Sequence, residues 1–283
     1  MASLQAGQYV GSAVCKNCHP AQFERQSLSE HARALSPDAR TEWAFGAGAQ
    51  AITYVSQVDA ETYREHGLSF YAATKSMALT PGHSNANGAL YRTFDPGSQI
   101  LRCFQCHSTG PLRLAGNNKI QVSEAGVRCE SCHGPGADHV KRGGDKLAIF
   151  NPIHLAAAAM NEFCGACHRK PPAAGDDTNW KNPWNSRHQP LYLSQAACFR
   201  KSKGALTCLT CHNPHAALER TGYDAKCASC HPMPRHRTVA ATAKRACVSC
   251  HMPAVRPQPN LAFANHWIGI YFPAKASLAS TVQ

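Results

Sequence analysis

Acidic residues are scarce in this chain, with 17 Asp and Glu set against 29 Lys and Arg, for a formal net charge of +12. Long apolar runs are missing as well. No stretch of 18 hydrophobic residues occurs, which excludes a transmembrane helix of ordinary length. The opening MASLQAGQYVG has neither a basic n-region nor an apolar core, so it does not read as a secretory signal. Eighteen prolines, twenty glycines and a mean hydropathy of -0.35 leave little for an aliphatic core. Something other than aliphatic packing must hold 283 residues together.

Cysteine supplies it. Of fifteen cysteines, fourteen form Cys-x-x-Cys pairs, each followed at once by histidine. The motifs are Cys15-Cys18-His19, Cys103-Cys106-His107, Cys129-Cys132-His133, Cys164-Cys167-His168, Cys208-Cys211-His212, Cys227-Cys230-His231 and Cys247-Cys250-His251. Composition alone yields about 0.05 such motifs by chance. A disulfide framework needs no histidine after every pair. Structural zinc joins two half-sites, and seven is odd. A thioredoxin-like redox site uses one Cys-x-x-Cys beside a βαβ unit. Cys-x-x-Cys-His is the attachment signature of haem c: two thiols add to two porphyrin vinyls, and the histidine ligates the iron. The sequence therefore predicts seven covalent haem c groups.

Haem changes the reading of the charge. Each haem brings two propionates, and its iron-porphyrin core is +1 oxidised and neutral reduced. Seven haems move the total to about +5 oxidised or about -2 reduced. No DNA- or RNA-reading motif accompanies the basic residues, so no nucleic-acid partner is expected. Attachment of haem c in bacteria takes place outside the cytoplasm. The expected location is periplasmic or extracellular, with a signal removed upstream of the given sequence.

The first motif lies 88 residues before the second, and the later intervals are 26, 35, 44, 19 and 20 residues. This spacing predicts a one-haem lobe over 1–100 and a six-haem body over 101–283, or one continuous haem-packed domain. The expected fold is mainly α with extensive loops and little strand beyond short pairs around residues 90–102. Pro20 starts a helix that reads to about Leu35, Leu155 to Phe163 reads as a helix leading into motif four, and Ala240 to Cys247 into motif seven. TPGHSNANG and KPPAAGDDTNWKNPWN read as loops.

Sixteen histidines less seven proximal ones leave nine: His31, His66, His83, His139, His154, His188, His215, His236 and His266. A sixth ligand for every iron needs seven. His215 follows His212 by three residues, on the same side of any turn, so it serves another haem. His139 follows His133 by six residues through Gly134-Pro135-Gly136 and is likewise expected to serve another haem. His31 lies twelve residues after His19, about 18 Å along a straight helix, and also serves another iron. The expected distal ligands are His31, His139, His215, His266, His83, His188 and His236, with His66 and His154 in surplus. Met77, Met160, Met233 and Met252 are the rival ligands. Cys198, the one cysteine outside the motifs, reads as a small buried residue, with a thiolate haem ligand or a disulfide to a partner chain as the alternative, and Trp180, Trp184 and Trp267 read as haem-packing side chains.

The text around the motifs carries a resemblance. YVGSAVCKNCHPAQFERQSLSEHARAL, GVRCESCHGPGADHV, LTCLTCHNPH, RACVSCHMP and RHQPLYLSQAACF resemble blocks of a multihaem cytochrome family. That family is similar to the tetrahaem cytochrome that accepts electrons from hydroxylamine oxidoreductase. The resemblance implies distal ligation by His31, His139 and His215, and haems stacked in parallel pairs. The haem count departs from the tetrahaem pattern, so haem order does not transfer.

Two functions follow. The first is an electron carrier with closely packed, mostly bis-histidine haems, working with redox partner proteins and open to self-assembly or docking in an outer-membrane conduit. The second is an oxidoreductase in which one five-coordinate haem acts on a small nitrogen or sulfur oxyanion. Ammonia-forming nitrite reductases mark that haem with Cys-x-x-Cys-Lys, which does not occur here.

Overall fold

The computed structural model describes residues 7–93, 99–170, 174–175, 177, 189–217, 219, 222–232 and 246–271. The chain divides into two compact units. The first is Met1–Ala156 with His212–Glu219 and Gln258–Leu261; the second is Ala157–Cys211, Arg220–Pro257 and Ala262–Gln283.

The first unit overturns the expectation of a mainly α fold. After helices α1 (Ser12–Lys16) and α2 (Pro20–Ser27) come six strands, β1 (Leu35–Asp38), β2 (Glu42–Phe45), β3 (Ala51–Gln57), β4 (Thr62–Tyr71), β5 (Ser76–Leu79) and β6 (Ala89–Arg92). They form one antiparallel sheet in the order β1-β2-β3-β4-β5, with β6 also on β4. The fold is therefore mixed. The physical reason is local: AITYVSQ and TYREHGLSFY are rich in β-branched and aromatic residues, and burial alternates along the end of the second from Gly67 to Tyr71. Tyr63, Ser69 and Tyr71 are buried, while Arg64 and Leu68 are exposed.

Asparagine-like turn chemistry closes the hairpins. Asp38 Oδ1 accepts from the backbone N–H groups of Arg40 and Thr41 and from the Thr41 hydroxyl at 2.8–3.0 Å. These bonds hold the Asp38 carboxyl below its usual pKa. Asp59 Oδ1 does the same for Glu61 N at 2.8 Å.

The expected helix from Pro20 to Leu35 stops early. Ser29 Oγ donates to Gln26 O at 2.6 Å and accepts from Ala32 N at 3.1 Å. This side chain competes with the helical ladder and turns the chain toward β1. Residues 99–107, expected near a strand pair, form helix α3 (Gln99–His107). Its Ile100 and Phe104 are buried against Leu35, Phe45, Val55, Tyr63 and Ile120, which make the core. Short strands β7 (Ser108–Thr109), β8 (Arg113–Leu114), β9 (Ile120–Gln121) and β10 (Glu124–Ala125) follow, β7 pairing with β10 and β8 with β9. Helices α4 (Cys129–His133) and α5 (Ala137–Lys141) complete this unit.

In the second unit, α6 (Ala157–His168) continues the predicted helix through motif four. Helices α7 (Gln189–Leu193), α8 (Ala197–Lys201), α9 (Cys208–Cys211), α10 (Tyr223–Ala228) and α11 (Cys247–His251) are short. The hairpin β11 (Ala254–Gln258) and β12 (Leu261–Ala264) follows motif seven, its tip Gln258–Leu261 being assigned to the first unit. Thr80 to Gly88 contains neither helix nor strand, as its composition implied. Residues 240–245 and most of the 170–185 segment lie outside the described residues.

Candidate haem-binding sites

Each attachment motif lies on or beside a short helical turn. His19 N donates to Cys15 O at 2.8 Å, and His231 N to Cys227 O at 2.9 Å. Such a turn puts residues i, i+3 and i+4 on one face. Both sulfurs and the imidazole thus stand on one side of the turn, where the thiols could meet two vinyls of a porphyrin edge and the imidazole its iron.

The imidazoles are held by their Nδ1 atoms. His107 Nδ1 donates to Ala34 O at 2.9 Å, His133 to Phe150 O at 2.9 Å and His251 to Gly269 O at 2.7 Å. His139 donates to Asp145 O at 2.8 Å and His266 to Ala264 O at 3.0 Å. A carbonyl oxygen only accepts, so Nδ1 carries the proton and the lone pair stays on Nε2. That tautomer is the one a metal takes.

Two proximal imidazoles face distant ones. His19 and His139 lie with ring centroids 6.3 Å apart and planes at 18°. His133 and His215 lie 6.0 Å apart at 5°. Two metal–nitrogen bonds of about 2 Å, plus the offset from each nitrogen to its ring centroid, span about 6.2 Å. Both pairs therefore have the separation that an axially ligated iron requires. His31 and His212 lie within electrostatic reach of one another. Burial lowers the pKa of each, and the charge of His31 lowers that of His212 further. For His215 the causes are burial first and the charge of His133 second.

The sulfurs also meet in pairs. Cys15 and Cys129 hydrogen-bond, which draws the Cys129 thiol down to about 6 and pushes Cys15 up. Cys164 hydrogen-bonds Cys208 and lowers it. Cys227 hydrogen-bonds Cys247, although burial outweighs that bond and raises Cys227. Cys103 is pushed up to about 11 by burial and then by the charge of Glu65. If both sulfurs of such a pair carried porphyrins as thioethers, their contact would bring two porphyrin edges together.

The chain is a multihaem c-type cytochrome. Residues 60–134 of this cytochrome match the family described as cytochrome c554 and c-prime. It is 26% identical over 205 residues to the multihaem cytochrome MtrA of Shewanella baltica (strain OS185), across 65% of this chain and 55% of that relative. It thus spans about half the length of the curated relative it matches. The crystal structure of the outer cell wall cytochrome OcwA is similar with a TM-score of 0.62 and 18% identity, over 92% of this chain and 79% of that one. An undecahaem cytochrome from the S-layer of Carboxydothermus ferrireducens has a TM-score of 0.54 and 17% identity, over 93% of this chain and 52% of that one. At such identity these two likenesses concern the fold.

Other candidate ligands are placed differently. His83 Nε2 is 3.1 Å from Glu65 Oε2, an ion-pair geometry, and Tyr91 OH donates to the same oxygen at 3.1 Å. His66 Nε2 bonds Ser56 Oγ at 2.6 Å. His154 is exposed at the end of a single 3-10 turn, Pro152–His154. His188, His236, Met233, Trp180 and Trp184 lie outside the described residues. Met160 is 2% exposed on α6, and Met77 is exposed on β5. Cys198 is half-buried, within the electrostatic reach of Cys211, Cys227 and Cys230. Among the described residues, no helix is long and apolar enough to cross a membrane.

Sequence reasoning missed Glu130. This carboxylate, 2% exposed inside motif three, accepts from Val10 N at 3.0 Å, Gly11 N at 2.8 Å and Gly136 N at 2.7 Å. It straps the segment before motif one to motif three. The visible signal was an acid between the two cysteines of Cys129-Glu130-Ser131-Cys132, where an exposed residue is the default.

Proposed function

We propose that this cytochrome carries seven haems, mostly bis-histidine, and passes electrons among them outside the cytoplasm. The single observation that carries the reading is the meeting of imidazoles from distant segments at iron-spanning separation, 6.3 Å for His19 with His139 and 6.0 Å for His133 with His215. In this reading His139 completes haem one, His215 haem three and His31 haem five. The bound haems supply the one-electron iron chemistry. The chain's own residues fix the imidazoles of His107, His133, His139, His251 and His266 through Nδ1 and bring attachment sulfurs together in pairs.

The sulfur contacts support pairs one with three, four with five, and six with seven. Names of relatives support the location: one is an outer cell wall cytochrome and another belongs to an S-layer. Donor and acceptor are redox partner proteins, and self-assembly or docking in a conduit belongs to the same reading.

A pyridine haemochrome count per chain and a low-temperature EPR spectrum of the oxidised protein test it. Seven haems, all low-spin and inert to cyanide, are expected. A high-spin haem that binds nitrite or hydroxylamine replaces the carrier with an oxidoreductase.

A further inference from the structure

We propose that Asp145 is a positioning residue for two irons at once: by capping the turn Lys146–Ala148 it fixes the carbonyl oxygens of residues 145 and 150, which hold the imidazoles of His139 and His133. The inference rests on the haem reading above, in which His139 completes haem one and His133 carries haem three, and it adds a device that both haems share.

The chain reaches the turn by a tight reversal. Helix α5 ends at Lys141, and Gly143 and Gly144 follow with φ of +65° and +92°, a region that glycine enters without steric cost. Gly144 N donates to His139 O at 2.8 Å, which brings the chain back beside the histidine it has just left. Asp145 then starts the 3-10 turn Lys146–Ala148. Its Oδ1 accepts from Leu147 N at 2.9 Å, one of the backbone donors that a helical start leaves unpaired. Its carbonyl oxygen accepts from Ala148 N at 3.0 Å, which closes the turn, and from His139 Nδ1 at 2.8 Å. One oxygen thus serves the turn and an imidazole together.

Two residues after the turn, Phe150 O accepts from His133 Nδ1 at 2.9 Å. Between the two anchoring carbonyls, all but one of the residues belong to the turn itself. The imidazoles they hold face different partners. His139 lies 6.3 Å from His19 and His133 lies 6.0 Å from His215 between ring centroids, so a single turn reaches two irons. Arg142 Nη1 stands 3.8 Å from Asp145 Oδ2, but both side chains are open to water and the pair contributes little. What the Asp145 side chain adds is the cap.

A hydrogen bond from Nδ1 makes an imidazole a more basic ligand and fixes its plane. Loosening the turn weakens both bonds. Both ligands then become less basic, which favours ferrous iron and raises both potentials. Their planes turn as well, and the g values of a low-spin iron follow the planes of its two imidazoles.

EPR and redox titration of the holoprotein test this, with His139→Ala and His215→Ala marking the components of haems one and three. Asp145→Asn and Asp145→Ala lose the same charge, but asparagine keeps an oxygen for Leu147 N and caps as well as aspartate. The difference between the two variants isolates the cap. Both are expected to carry the full haem count, and Asp145→Asn to keep the g values of the unsubstituted protein. Asp145→Ala is expected to shift the g values of haems one and three together. Relative to Asp145→Asn, it raises both midpoints by about a threefold change in the ferrous-to-ferric ratio, about 28 mV at about 59 mV per tenfold change, with the other components unmoved. The proposal is overturned if the two variants behave alike or if only one of the two haems responds. It is also overturned if Asp145→Ala loses haem, since the role is orientation and not attachment. Failure of the haem reading itself appears earlier and separately, in the haem count and EPR spectrum of the unsubstituted protein.

Discussion

The imidazoles of His133, in motif three, and His215, from the loop after motif five, lie with centroids 6.0 Å apart and planes at 5°. Neither residue is near the other in sequence, and each has its own anchor. His133 is fixed through Nδ1 to Phe150 O, and His215 N donates to Asn213 Oδ1 at 3.0 Å.

Replacing the distal partner leaves the attachment intact. His215→Ala is expected to keep the full haem count, because Cys129, Cys132 and His133 are untouched. One haem becomes five-coordinate. EPR of the oxidised variant then shows one high-spin signal, and carbon monoxide binds the reduced form at one site per chain. An unchanged low-spin spectrum sinks the assignment of His215 to haem three.

Glu130→Gln removes the charge that three backbone donors share. Hydrogen bonds to a buried carboxylate are each worth about 1.5–3 kcal/mol, and the glutamine nitrogen confronts donors with a donor. The expected cost is about 3 kcal/mol. Limited proteolysis within residues 7–12 is the local readout, alongside the denaturation midpoint. Wild-type resistance at that segment argues against the strap.

The loop that carries His83 is held by glycine. A Cβ at Gly88, whose φ is +81°, would lie 2.1 Å from Glu65 O, whereas one at Gly116 would meet nothing within 4 Å. Gly88→Ala is expected to cost about 3 kcal/mol through the left-handed backbone and the clash. Gly116→Ala is expected to be neutral. Equal midpoints for the two variants in denaturant refute the tight approach of this loop to β4.

His66 sets a pH dependence in the sheet. Burial first and Arg64 second hold its imidazole below the ordinary value of 6.5. Well above that value both folded and unfolded chains leave it neutral, so it contributes nothing. As the pH falls through 6.5 the unfolded chain takes up a proton that the folded chain resists, and stability is lost down to the folded pKa. His66→Gln is expected to flatten the fall in thermal midpoint between about pH 7 and about pH 5. Identical acid limbs in the two proteins count against it.

The attachment chemistry was legible because it is local. Cys15, Cys18 and His19 share a single helical turn, and no distant residue is needed to recognise the motif. Helix α6 was legible for the same reason, as an alanine-rich run leading into Cys164. The six-stranded sheet was also written in the chain, in the β-branched and aromatic residues of AITYVSQ and TYREHGLSFY, but haem-rich composition drew the reading toward helix and loop. The early end of α2 turned on one hydroxyl, Ser29, which periodicity does not register.

What the sequence determined by itself is the motif, seven Cys-x-x-Cys-His runs whose spacing is a property of one turn of backbone. Only the tertiary structure decided which imidazole faces which, that Cys15 meets Cys129 and Cys164 meets Cys208, and that Glu130 is buried rather than exposed. Those relations join residues far apart along the chain. They follow from how a sheet, short helices and long loops pack together, and no local spacing encodes that.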